Sequence, residues 1–115
     1  MDSAFERLVK QINDAGMEWV EAKLKADQLE ADQKPFLSAI KNSIDDGDTS
    51  EAKLDRLALG SKEYRAYAAS VCTAQAEMLR KKVRYESFQS LFEAKRSQGA
   101  LERAKIEKGI TGMGG

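Results

Sequence analysis

Residues 62–98 contain neither glycine nor proline, and within them Tyr64, Val71, Met78, Tyr85 and Phe92 fall seven residues apart. Two turns of α-helix take about seven residues, so this spacing returns all five side chains to one narrow stripe. Tyr67, Ala68, Ala74, Gln75, Phe88 and Lys95 fill the intervening seam positions. The pattern predicts a single helix over residues 62–98, roughly 55 Å long at 1.5 Å per residue. A rod with an apolar stripe is not stable alone in water, so another helix must cover it.

The first half of the chain supplies that helix. Ser3 and Glu6 have the spacing of a capping box, which predicts a helix start, and Phe5, Leu8, Val9, Ile12, Trp19, Val20 and Leu24 then recur every three or four residues. Gly16 weakens this run by about 1 kcal/mol relative to alanine, a cost that packing can offset, so the helix either continues or has a bend or short break near Ala15 and Gly16. Leu29, Phe36, Leu37, Ile40 and Ile44 carry the seam on, but Pro35 removes a backbone donor and crowds the carbonyl of Ala31. Either the helix kinks there or a new one begins, with Asp32 as its cap.

The polar cluster Asp45, Asp46, Gly47, Asp48, Thr49, Ser50 predicts a turn. Asp48 with Glu51 suggests a cap for a short helix through Leu54, Leu57 and Ala58 that closes at Gly60, and Ser61 caps the long helix. The expected elements are helices over 3–31, 35–44, 51–59, 62–98 and, after a break at Gly99, 100–108. They form one domain, 1–108, followed by a flexible glycine-rich tail, 109–115. Aromatic residues make up 7% of the chain, too few for a β-sandwich, and 33% of residues are charged. The predicted fold is all-α: a long antiparallel helical hairpin, or coiled-coil-like bundle, that leaves apolar side chains uncovered and so forms a homo-oligomer.

Chemistry-bearing motifs are missing. The chain has no histidine, the commonest general base and metal ligand. A calcium loop starting at Asp46 would need glycine at its sixth position and glutamate at its twelfth, where Glu51 and Leu57 stand. The single cysteine, Cys72, follows Val71 with no activating base and is expected to be a buried, inert thiol. Trp19, Met17 and Met78 are expected in the core. With no phosphate loop or nucleophile motif, the expectation is a non-enzyme with no cofactor, no metal and no small-molecule substrate. With no signal peptide, no apolar run long enough for a membrane and no disulfide visible in the sequence, the expected compartment is the cytoplasm.

The zero net charge hides a division. Residues 1–60 carry eight Lys/Arg against thirteen Asp/Glu, and residues 61–115 carry eleven against six, so the halves stand at −5 and +5. Arg80, Lys81, Lys82 and Arg84 fall within five residues beside Tyr85 and Phe88, and Lys95 and Arg96 follow. Glu77 and Glu86 are too few to neutralise them, which marks a phosphate-binding patch. The equal alternative is that these cations pair with the acidic half across the hairpin.

A Trp-containing first helix, the loop Asp45-Asp-Gly-Asp48 and a long helix with Tyr85-Glu-Ser-Phe88 and Phe92-Glu-Ala-Lys-Arg-Ser97 before a glycine resemble, in layout over residues 17–106, small tailed-phage recombination-accessory proteins similar to the UvsY-like recombination mediators. The resemblance implies an oligomeric helical protein of the host cell cytoplasm that binds single-stranded DNA, loosens single-strand-binding protein and helps load a recombinase. The implied DNA contacts are Arg80, Lys81, Lys82, Arg84, Lys95 and Arg96. The near-neutral charge and acidic first half depart from that picture, and the rival function is a helical adaptor or inhibitor that acts on a host factor without touching nucleic acid.

Overall fold

The computed structural model describes residues 3–113, with side chains over residues 3–108. Four helices follow one another: α1 (Ser3–Ala31), α2 (Gln33–Ile44), α3 (Glu51–Leu59) and α4 (Lys62–Met113). No strand occurs among the described residues. The molecule is a rod of 95 × 25 × 16 Å.

α1 and α4 lie antiparallel, and three aromatic pairs mark their seam. Phe5 meets Phe92 with ring centroids 5.5 Å apart, Trp19 stacks on Tyr85 at 5.5 Å, and Phe36 of α2 stacks on Tyr67 at 4.5 Å. Tyr85 and Phe92 of the α4 stripe are thus sheltered by aromatics of α1, and Tyr67 beside the stripe by one of α2. Polar links run between the rings. Tyr67 Oη donates to the Leu29 carbonyl at 2.5 Å, Gln33 Nε2 donates to Tyr64 Oη at 3.0 Å, and Gln75 donates to Glu30. Burial, and then the charge of Asp32, push the Tyr67 phenol above its ordinary pKa.

The core between the arms is thin. Its buried members are Leu8, Ala15, Ala26, Leu54, Ala58, Val71 and Ala74. Four of these are alanines, which let the backbones approach closely but bury little apolar area each. Trp19, Tyr64, Met78, Tyr85 and Phe92 are half-buried in the same seam. Gly16 allows a close approach by Tyr85: a Cβ there would lie 3.2 Å from Cε1 of that ring.

The break before Pro35 falls at Asp32, so α2 begins at Gln33, two residues earlier than the sequence suggests. The proline occupies the third helical position, where its ring is tolerated, and the lost bond is the one to the Ala31 carbonyl. Backbone bonds Asp32 N to Gln28 O at 3.0 Å and Phe36 N to Asp32 O at 2.9 Å carry the chain across. Asp32 holds the cap position, but its carboxylate accepts from Gln28 Nε2 and makes no cap bond.

In the turn, Asp46 Oδ1 accepts from the Asp48 and Thr49 amides and from Thr49 Oγ1, bonds that hold its carboxyl below the usual range. Gly47 takes a φ of 87°, a left-handed value that favours glycine. Ser50, not Asp48, caps α3, accepting from the Lys53 amide at 3.3 Å. Lys41 ties α2 to α3 through Asp55 at 2.6 Å and Glu51. Ser61 caps α4 by accepting from the Tyr64 amide at 3.1 Å.

The expected stop at residue 98 is corrected. α4 runs unbroken through Gly99, Gly109 and Gly112 to Met113, so residues 109–113 of the expected flexible tail are helical; residues 114–115 lie outside the described residues. A single helical glycine costs about 1 kcal/mol against alanine, too little to end a helix whose flanking turns already cooperate. At 52 residues, α4 is about 78 Å long. Because Phe5 sits against Phe92, α1 ends where α4 still has several turns to go, and residues 100–108 are exposed throughout.

Two further expectations are corrected. Met17 is 61% exposed, at the open edge of the seam beside Val20, which is exposed as well. Cys72 is exposed as well, because one residue beyond the buried Val71 is about 100° around the helix.

Candidate nucleic-acid interface

The grooves between α1 and α4 differ on the two sides of the rod. One side holds a cleft of about 750 Å³ lined by Val9, Ile12 and Phe92 and also by Asn13, Glu86, Gln89 and Glu93, which runs on past Gly16, Met17 and Val20 beside Tyr85. The other is charged: Glu18, Glu21 and Lys25 of α1 face Glu77 and Lys81 of α4 across a cleft of about 290 Å³ floored by Ala22 and Ala74.

The six cations expected to contact phosphate do not share one face. Lys81 is half-buried at the edge of the seam, its Nζ 3.4 Å from Glu18 Oε2. Arg84 Nη1 reaches the same Glu18 oxygen at 3.3 Å, and its guanidinium lies 5.7 Å from the Phe88 ring centroid. Lys82 points elsewhere, to Glu86 of its own helix at 3.9 Å, and Arg96 pairs with Glu93 at 3.4 Å. Arg80 and Lys95 have no ion pair among the described residues, and both are exposed.

What the helix does align is a ridge. Arg80, Arg84, Phe88, Leu91 and Lys95 succeed one another at intervals of four, four, three and four residues, the spacing of a single helical face. This ridge joins the polar groove through the Arg84–Glu18 contact, and two of its three cations are free. Lys95 is exposed, outside the seam position expected for it.

Sequence reading missed Glu18, the residue that partitions the cluster. Its carboxylate comes from the facing helix, and only the pairing register brings it to Lys81 and Arg84. Part of the basic cluster thus pairs across the hairpin, through Lys81 and Arg84, and part faces solvent.

Among the described residues, no group of three or more potential metal ligands comes together, and no helix is long and apolar enough to cross a membrane. Trp19 Nε1 is buried without a hydrogen-bond partner, a consequence of its ring lying against Tyr85 on the seam. In comparisons with known proteins, no family model, no curated protein and no solved structure matches this chain.

Proposed function

We propose that the protein is a non-enzymatic, self-associating helical protein that binds single-stranded nucleic acid along the basic ridge of α4. The observation that carries this reading is the ridge itself: Arg80 and Lys95 lack anionic partners, and Arg84, Phe88 and Leu91 between them join positive charge to apolar surface. A flexible strand needs little else, since cations neutralise its phosphates and side-chain faces accept its bases. Three cations per chain are a weak site. Association through the uncovered Met17, Val20, Leu24, Leu79 and Val83, which are 46–64% exposed, would repeat the ridge and raise its avidity. The layout shared with UvsY-like mediators supports the same reading and suggests a recombinase and a single-strand-binding protein as partners in the host cytoplasm.

A labelled single-stranded oligonucleotide titrated at several salt concentrations tests the proposal. Binding should weaken with a log–log slope near −2, about 0.7 for each of three phosphates. Changing Arg80 and Lys95 together to Glu should abolish it, whereas changing Lys82 and Arg96 to Glu, the same change in net charge, should weaken it far less. Equal loss in both doubles would sink the ridge.

One observation favours a second reading, an adaptor that docks on another protein. The same exposed apolar residues could cover a partner's helix. In that case the oligonucleotide is not bound even at low salt.

A further inference from the structure

The charged groove holds a contact that the function above leaves unexplained. Glu18 Oε2 accepts from Lys81 Nζ at 3.4 Å and from Arg84 Nη1 at 3.3 Å, so two cations from successive turns of α4 converge on one anionic oxygen brought in by α1. A phosphodiester offers the same thing: a single negatively charged oxygen able to accept from a lysine and an arginine together. The contact is open to solvent. Side-chain exposure is 42% for Glu18, 31% for Lys81 and 57% for Arg84, and ion pairs this exposed are weak enough to exchange.

We propose that the Lys81–Arg84 pair is a phosphate subsite and that Glu18 is its internal occupant, a built-in competitor which the strand must displace. The inference rests on the ridge reading and deepens it. Arg84 belongs to both ridge and groove, so a strand lying along Arg80, Arg84 and Lys95 passes directly over the occupied oxygen. When a phosphate takes its place, the displaced carboxylate has the cleft beside Ala22 and Ala74 to turn into, where Lys25 is near. While Glu18 remains, the two cations hold fewer counterions to release, so the full chain binds more weakly, and with a flatter salt dependence, than its six α4 cations would suggest.

Glu18→Gln removes the competitor and keeps the side chain's shape. Asp14→Asn is the control: Asp14 lies one turn earlier on α1, is exposed, and has no ion pair among the described residues, yet its substitution changes the net charge identically. With a fluorescent single-stranded oligonucleotide, Glu18→Gln should bind about three- to tenfold tighter than the unaltered chain, the scale of two exposed ion pairs. Its salt slope should steepen by about 0.7, one further phosphate at Lys81, since Arg84 already counts among the three of the ridge. Asp14→Asn should stay within about twofold, because it removes the same charge from a neighbouring exposed position without freeing a paired cation. If the unaltered chain binds and Glu18→Gln matches it, or if both variants tighten alike, the internal-occupant inference is wrong and the ridge reading stands. If neither the unaltered chain nor Glu18→Gln binds at low salt, the ridge reading itself fails and takes the inference with it. Far-UV circular dichroism of each variant reports that the helices are intact.

Discussion

Gly16 sets two effects of similar size against each other, and the structure says which should win. Replacing a helical glycine by alanine stabilises by about 1 kcal/mol through reduced backbone freedom. Against this, the new Cβ would lie 3.2 Å from Cε1, 3.5 Å from Cδ1 and 3.6 Å from Cζ of Tyr85. Carbon–carbon contacts are comfortable at about 3.5 to 4.0 Å, so the ring edge must retreat by about 0.3 Å or slightly more. Tyr85 has somewhere to go, because an open cleft lined by Gly16, Met17, Val20 and Trp19 adjoins it. Its centroid is 5.5 Å from that of Trp19, and aromatic pairs hold over roughly 4.5 to 7 Å, so a shift of this size leaves the stack in place. Gly16→Ala should therefore stabilise, by about 0.5 kcal/mol, less than propensity alone would give.

Valine reverses the sign. Two further carbons push the ring out of the stack, losing about 0.5 to 1.5 kcal/mol of pairing, and overpacking adds a further 1 to 3 kcal/mol. Gly16→Val should destabilise by about 2 kcal/mol. Urea titration followed by far-UV circular dichroism measures both variants, and the fluorescence of the single tryptophan, Trp19, reports the stack itself. The reasoning is refuted if alanine costs more than about 1 kcal/mol or if valine costs nothing.

Two other outcomes can be checked on the same footing. Leu54, 4% exposed, anchors α3, so Leu54→Ala should cost about 2 to 4 kcal/mol, whereas Leu57→Ala at 49% exposure should stay within about 0.5 kcal/mol, as read from urea midpoints. For pH, the Asp46 carboxyl is held low first by the Asp48 amide and then by the Thr49 hydroxyl, so its support of the turn is present above the ordinary value of 3.8 and is lost as pH falls through the lower folded value. The Asp48 and Thr49 amide shifts followed by NMR should titrate below 3.8; a midpoint at or above it would show that those bonds do not form.

The fold was legible where a side-chain period carried it. Tyr64, Val71, Met78, Tyr85 and Phe92 announced both the rod and its need for cover, and Phe5, Trp19 and Phe36 were available to provide it. Cys72 lies next to the buried Val71 in sequence but about 100° from it around the helix, and that angle, not adjacency, sets its exposure. Gly99 carries a local preference for a helix end that a long cooperative helix overrides. The cap on α3 went to Ser50 because Asp46, an acid two residues before Asp48, already binds the amides of the turn. The site was less legible than the fold. The basic residues are plain in the sequence, but which of them are free depends on Glu18, and its position follows from a register that periodicity on one strand of the hairpin does not specify.

The antiparallel register also orders how the molecule comes together. Tyr67 and Leu29 touch across a separation of 38 residues, Gln75 and Glu30 across 45, and Lys81 and Glu18 across 63, with Phe5 and Phe92 farthest of all. Each contact made nearer the bend shortens the slack that the next must gather in, so the arms fasten progressively from the α2–α3 end, like a zip drawn upward. Parting runs the other way. The Phe5–Phe92 tips separate first and at least expense, while the bend stays closed.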